Sequence, residues 1–137
     1  MKKKIFITLA TVLTTVVVAS GWWLSQQHKI SRFLPPEATD IKEAYIGSID
    51  FAKYMKAKVS EEGFHTFRKR IGYSDDNLIA KTSKENFSWS SGSDPVGDWW
   101  DPGKETDGSY GRYNSEEAFY SMTKYENGHV YFIAQKW

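Results

Sequence analysis

The stretch AFYSMTKYENGHVYFIAQK, residues 118–136, is the part of this sequence that says most about the fold. Two runs rich in Phe, Tyr, Thr, Val and Ile, residues 118–126 and 129–136, flank the dipeptide Asn127-Gly128. β-branched and aromatic residues favour strands, and an Asn-Gly pair between two such runs fits a two-residue turn with positive φ at both positions. The stretch therefore predicts an antiparallel β-hairpin.

An amphipathic helix is predicted upstream of the hairpin, in the segment SEEGFHTFRKRIG, residues 60–72. Ser60 can cap its N-terminus, and two acidic residues follow in the first turn, where they complement the helix dipole. Phe64 and Phe67 recur on one face, and Gly72 can adopt the left-handed conformation that ends a helix. This helix is expected to pack its aromatic stripe against a sheet.

Two further strands are predicted before the helix, at residues 40–47 and 50–59, joined at Gly47 and Ser48. The apolar residues of the second segment also fit a helical period, so a helix stays an alternative there. Short strands are predicted around residues 87–89 and 110–113.

The rest of the segment from residue 73 to residue 117 has no clean period and is rich in Ser, Asp, Gly and Asn. We therefore predict an α+β domain, in which one antiparallel sheet carries one packed helix and a long irregular loop covers an edge or an end.

The N-terminal residues predict a transmembrane helix. A lysine run precedes an uncharged stretch, residues 5–24, and about 20 helical residues span the roughly 30 Å of a bilayer core. By the positive-inside rule the lysines stay in the cytoplasm and the rest of the chain is exported. The residues assigned to the anchor, including two interfacial indoles, are Lys2, Lys3, Lys4, Trp22 and Trp23.

The alternative to a retained anchor is a signal peptide that is cleaved near the small residues at positions 19–21. On the anchor interpretation the chain divides into the anchor at residues 1–25, a proline-stiffened tether at residues 26–37 and the exported α+β domain at residues 38–137.

The charge distribution argues against nucleic acid as a partner. Residues 1–31 hold four of the 18 basic residues and none of the 17 acidic ones, so the remainder carries a net charge of −3. Nucleic-acid binding depends on clustered Lys and Arg. The one basic run, residues 68–70, falls at the predicted helix C-terminus, where cations offset the dipole. The absence of cysteine excludes thiolate metal sites, catalytic thiols and a lipidated cysteine.

Four short motifs, LPPEATDI, YMKAKVSEEGFHTFRKRIG, DWWDPG and YENGHVYFIAQKW, together resemble a group of small exported bacterial proteins, which are lipoproteins or single-pass membrane proteins of unknown function. The resemblance covers residues 34–137. It implies a bacterial envelope location, here the cytoplasmic membrane with the C-terminal domain on the exported side. It implies no catalytic residue.

Metal and cofactor chemistry is not indicated. The three histidines lack metal-ligand spacing, and the aspartates at positions 94, 98, 101 and 107 do not match a calcium loop and are typical of turns. We predict no metal and no cofactor, and we assign no catalytic residue.

The aromatic and acidic segment DPVGDWWDPG, residues 94–103, and the tyrosines after it form the candidate binding site. Neighbours in an extended segment point to opposite sides, so one indole of the Trp pair is expected to fill the core while the other faces outward. The preferred hypothesis is a membrane-tethered, non-catalytic interaction domain that binds a protein or a glycan. The alternative is a hydrolase that uses carboxylates of residues 94–107. The candidate binding residues are Asp98, Trp99, Trp100, Asp101, Tyr110 and Tyr113.

Overall fold

The structure, a computed structural model, divides the chain into two compact units, Met1–Arg32 and Phe33–Trp137. It describes residues 11–12, 14–21, 29–47, 50–79, 87–90 and 96–137. The predicted anchor residues Lys2, Lys3, Lys4, Trp22 and Trp23 lie outside the described residues.

In the first unit, residues 11–12 and 14–21 are helical. The Thr15 hydroxyl donates to the carbonyl oxygen of Thr11 at 2.9 Å, and the Ser20 hydroxyl donates to that of Val16 at 2.7 Å.

Among the described residues, no helix is long and apolar enough to cross a membrane. This finding contradicts the transmembrane helix predicted at residues 5–24. The predicted fold class is therefore wrong in its N-terminal part, and the predicted single-pass location in the cytoplasmic membrane is wrong with it.

The described part of the second unit forms a five-stranded antiparallel sheet with the strand order β1-β2-β5-β4-β3. One helix, α1, packs on it, and a 3₁₀ turn lies at Asp75–Asn77. A further 3₁₀ turn, Ile30–Phe33, spans the boundary between the two units along the chain. The bounds are Thr39–Gly47 for β1, Phe51–Lys58 for β2, Glu61–Arg70 for α1, Tyr110–Asn114 for β3, Phe119–Glu126 for β4 and His129–Lys136 for β5.

The predicted C-terminal hairpin is confirmed. Strands β4 and β5 pair in antiparallel register, with Glu126 opposite His129. Asn127 and Gly128 have φ values of 51° and 77°, as the two-residue turn requires. Because β5 lies in the centre of the sheet, its middle residues are buried from both sides.

The predicted helix is confirmed as α1. The Ser60 hydroxyl caps it by accepting a hydrogen bond from the backbone N–H of Gly63 at 3.0 Å, and Gly72 follows the helix with φ of 83°. Phe67 meets Phe132 of β5 edge-on at 6.4 Å between ring centroids. We call the sheet face that α1 covers the helix face.

The strand interpretation of residues 50–59 is confirmed, and the helical alternative is wrong. Tyr54 and Met55 are adjacent and both are buried, at 1% and 0% exposure. Their side chains lie on opposite faces of β2, and each face is covered by another layer. A strand that is buried on both sides does not alternate between polar and apolar residues. The sequence of residues 50–59 therefore could not distinguish the two-residue period of a strand from the 3.6-residue period of a helix.

The opposite face of the sheet, which we call the loop face, is covered by irregular chain. Its buried cluster consists of Tyr54, Ile79, Trp89, Tyr120, Met122, Tyr131 and Ile133. Phe87, Val96, Trp99 and Trp100 pack against this cluster. Residues 87–90 are not a strand, contrary to the prediction, because they cross this face as irregular chain, whereas the strand predicted at residues 110–113 is confirmed as β3.

Candidate functional site

The segment VGDWWDPG, residues 96–103, crosses the loop face, and we call it the aromatic loop. A turn at Asp98 and Trp99 is closed by a 3.0 Å hydrogen bond from the backbone N–H of Trp100 to the carbonyl of Gly97. Gly97 has φ of 113°, and a Cβ atom there would lie 3.0 Å from the indole of Trp99. The loop therefore needs glycine at this position so that the Trp99 ring can fold back over the backbone.

Trp100 makes more ring contacts on the loop face than its neighbour Trp99 does. Its ring meets Tyr54 at 5.0 Å and Tyr131 at 5.8 Å, both nearly edge-on, and it lies 6.2 Å from Trp89. Its Nε1 donates to the carbonyl oxygen of Trp89 at 3.2 Å. Trp100 therefore ties the loop both to the sheet and to the preceding irregular segment.

Trp99 meets the Trp100 ring at 5.9 Å with an interplanar angle of 83°. Both indoles are partly buried, and both pack against the cluster of the loop face. The expectation that one indole fills the core while the other faces outward is therefore wrong, because both rings are partly buried and they differ in what they contact.

Asp101 fastens the aromatic loop to the sheet. Its Oδ1 accepts hydrogen bonds from Lys56 Nζ at 2.6 Å and from the Tyr131 hydroxyl at 3.0 Å. The hydrogen bond from Lys56 holds the pKa of Asp101 below its usual value. Burial lowers the pKa of Lys56, but the hydrogen bonds to Asp101 and Tyr131 outweigh burial, and the net shift is upward. Both groups are consequently charged at neutral pH.

A second fastening lies at the end of the loop. The backbone N–H of Gly103 donates to Glu126 Oε2 at 2.8 Å, while Lys124 Nζ donates to the Gly103 carbonyl at 2.7 Å and lies 3.2 Å from Glu126 Oε2. The hydrogen bond from Gly103 lowers the pKa of Glu126. Lys124 Nζ also lies 5.0 Å from the centre of the Trp89 ring.

Sequence reasoning missed both lysines, although the strands carried a signal for them. Lys56 shares a face of β2 with Tyr54, and Lys124 shares a face of β4 with Met122. A lysine on an apolar strand face needs an anionic or carbonyl partner, because its charge is costly to bury alone. The two lysines therefore indicated that polar chain would cross this face.

The fastened loop borders a groove of about 500 Å³. Trp100 and Pro102 supply apolar walls, and Lys104 supplies a cation. The lining residues are Ser88, Trp89, Ser90, Trp100, Pro102 and Lys104.

The other predicted binding residues lie apart from one another in the structure. Asp98 is exposed in the turn of the loop. Tyr110 lies on the helix face, where its ring is 6.2 Å from Phe64 and 4.1 Å from the guanidinium carbon of Arg68. Tyr113 is 42% exposed and lies 6.5 Å from the Trp137 ring. Of the predicted set, only Trp100 lines the groove.

Two of the three residues in the basic run at the end of α1 have structural partners. Arg68 is buried, and its Nη1 donates to Asp75 Oδ1 at 2.6 Å. Arg70 Nη1 donates to the carbonyl oxygen of Leu34 at 2.9 Å.

The described carboxyl groups with a resolved shift all have a lowered pKa. They are Asp75, where the hydrogen bond from Arg68 is the main cause, Asp101 and Glu126. A general acid needs a raised pKa, so these groups are shifted away from that role. Within the described ranges, no group of three His, Asp or Glu side chains could hold a metal ion, and Asp94 lies outside them.

The chain matches no protein-family model, no curated protein and no solved structure. The resemblance to small exported bacterial proteins stays a prediction.

Proposed function

We propose that this protein is a non-catalytic binding domain that holds a carbohydrate chain in the groove beside the aromatic loop. The observation that carries the proposal is the composition of the groove, in which Trp100 and Pro102 offer apolar surfaces next to the hydroxyl groups of Ser88 and Ser90. A pyranose ring has an apolar C–H face and a polar rim, so it needs both kinds of contact side by side. Ligand sites generally combine aromatic walls with a few placed polar groups.

The two fastenings support the proposal because they hold the groove in shape before a ligand arrives. Asp101 is bonded to Lys56 and Tyr131, and Gly103 is bonded to Lys124 and Glu126. Pro102 lies between these two points. A preformed site loses less conformational entropy on binding than a loose loop does.

The carboxylates favour binding over the hydrolase alternative. Asp101 is the carboxylate of the loop with the best-defined environment, and its pKa is lowered by Lys56. Glycoside hydrolysis needs one carboxyl group that is protonated at working pH. An ion-paired aspartate serves instead to fasten the loop.

The test is titration of the full chain with soluble hexasaccharides of β-1,4-linked glucose, β-1,4-linked N-acetylglucosamine and α-1,4-linked glucose, followed by tryptophan fluorescence and calorimetry. At least one should bind, and Trp100→Phe should weaken its binding by about tenfold through loss of indole area. Trp99→Phe is the matched control, since Trp99 does not line the groove. Lys104→Ala provides a second, exposed variant in case Trp100→Phe does not fold.

Failure of all three sugars to bind at millimolar concentration would overturn the proposal, as would equal losses in the two tryptophan variants. Release of new reducing ends would assign the site to a hydrolase. Binding of an aromatic peptide in the groove, with no sugar bound, would assign it to a protein partner.

A further inference from the structure

Two exposed aromatic rings, Trp137 and Tyr113, lie together on the loop face, and neither lines the groove of the aromatic loop. Tyr113 stands opposite Tyr120 in the register of β3 and β4, so it shares a face with that member of the buried cluster. Trp137 is 57% exposed, and its ring centroid is 6.5 Å from that of Tyr113, with the two ring planes inclined by only 33°. We call this pair the outer platform.

The Trp137 ring is held against the sheet. Its centroid lies 5.7 Å from that of the Tyr120 ring, which is only 4% exposed. The backbone N–H of Trp137 donates to the carbonyl oxygen of Ala118 at 3.1 Å, directly before β4 begins. A ring that is held in this way loses little conformational freedom when a ligand stacks on it.

Tyr120 connects the outer platform to the groove. Its hydroxyl donates to the carbonyl oxygen of Ser88, a lining residue of the groove, at 3.0 Å and lies 2.7 Å from Gln135 Oε1. Gln135 Nε2 in turn lies 2.9 Å from the hydroxyl of Tyr54, and the Trp100 ring packs on Tyr54. The groove and the outer platform therefore rest on the same set of side chains.

The contacts with β4 show where the outer platform lies along the groove. Lys124 holds the carbonyl of Gly103, at the end of the aromatic loop, whereas Tyr120 holds Ser88. Lys124 and Tyr120 are four residues apart on β4, which corresponds to about 13 Å of strand. Because the outer platform contacts Tyr120, it lies beyond the Ser88 end of the groove.

We propose that the outer platform is a second stacking subsite for the carbohydrate chain that the groove binds. This inference rests on the proposed function and adds to it the length of the ligand. A chain of several sugar units can place one unit on Trp100 in the groove and another on Trp137, whereas a short sugar reaches only one of the two. Indole and phenol rings supply large, rigid apolar surfaces, which the C–H face of a pyranose can cover.

The first experiment compares sugar lengths on the full chain by calorimetry. The probes are the three hexasaccharides named above and the trisaccharide of each series. The hexasaccharide that binds should bind at least about tenfold more tightly than its trisaccharide, because the second subsite is engaged within the same molecule.

The second experiment removes the rings of the outer platform. Trp137→Ala should weaken hexasaccharide binding by about tenfold and leave trisaccharide binding unchanged, and Tyr113→Ala should weaken hexasaccharide binding by about threefold. Tyr45→Ala is the matched control, because it removes a ring that is 53% exposed on β1, at the other edge of the sheet, and it should change neither affinity. Thermal unfolding verifies that the three variants fold.

The third experiment observes the Trp137 ring directly. The full chain is labelled with 5-fluorotryptophan, and the fluorine resonance of Trp137 is assigned by its loss in Trp137→Phe. This resonance should shift on addition of the hexasaccharide and should shift less with the trisaccharide.

Unchanged hexasaccharide affinity in Trp137→Ala would overturn the second subsite and leave the proposed function intact. Equal losses of hexasaccharide and trisaccharide binding in that variant would also overturn it, because the effect would then come from a change in the groove. Failure of every sugar to bind the unmodified protein would overturn both proposals.

Discussion

The two faces of the sheet are covered in different ways. The helix face is covered by the ten residues of α1, whose Phe64 and Phe67 contact rings of the sheet. The loop face is covered by irregular chain, which is held by indole contacts and by two lysines that reach out of the strands. Regular structure satisfies its own backbone groups, whereas irregular chain must find partners for them in the sheet.

This difference has consequences for how each face responds to change. Apolar packing depends on buried area and shape, and it is insensitive to pH. The fastenings of the aromatic loop depend on ionised carboxylates and lysines, so pH and mutation can loosen them separately from the rest of the domain.

The largest effect is expected on the helix face. Phe67→Ala removes a fully buried ring and should lower the free energy of unfolding by about 3–5 kcal/mol, measured by urea denaturation. His65→Ala, at an exposed position of the same helix, is the control and should change it by less than about 0.5 kcal/mol. A small effect of Phe67→Ala would mean that the helix contributes little to the core.

An intermediate effect is expected on the loop face, where the two neighbouring tryptophans can be compared directly. Trp100→Ala removes contacts with Tyr54, Tyr131 and Trp89 and should cost about 2–3 kcal/mol, whereas Trp99→Ala should cost about 1 kcal/mol. Urea denaturation of both variants gives the difference. The reverse order would contradict the conclusion that Trp100 is the ring that ties the loop to the sheet.

The smallest effect is expected on the loss of folding stability at acidic pH. The folded pKa values of Asp101 and Glu126 are lowered, so their contribution is complete above the ordinary carboxyl value of about 4 and is lost as pH falls through the lower, folded values. Urea denaturation at pH 7 and pH 3 should therefore show a smaller acid-induced loss for the double variant Asp101→Asn/Glu126→Gln than for the unmodified protein.

Asp75→Asn makes the same measurement at the end of α1. The pKa of Asp75 is also lowered, by the hydrogen bond from Arg68, so this variant should reduce the acid-induced loss as well. Because the two sites are separate, the reductions from Asp75→Asn and from the loop-face double variant should add, and a triple variant with no further reduction would contradict a separate contribution of the loop face.

The elements with local signals could be predicted from the sequence, whereas the irregular cover of the loop face could not. The Asn127-Gly128 turn and the Ser60 cap act within a few residues, so the hairpin and α1 were predicted with nearly their observed bounds. The transmembrane prediction rested on the composition of residues 5–24, and it is contradicted because no helix among the described residues is long and apolar enough to cross a membrane. The candidate binding residues were predicted from their aromatic or acidic side chains. The residue type alone does not tell which face of the sheet a side chain lies on.

By itself, then, the sequence determined the local elements of this protein: the C-terminal hairpin, the capped aromatic helix and the existence of one long irregular segment rich in indoles and carboxylates. Only the tertiary structure decided what that segment does. Lys56 and Asp101 are 45 residues apart, and Trp100 meets Tyr54 and Tyr131 on different strands. The physical reason is that turns and caps are satisfied by neighbouring backbone, whereas a buried lysine or an irregular loop is satisfied only by groups that the pairing of β2 with β5 brings close.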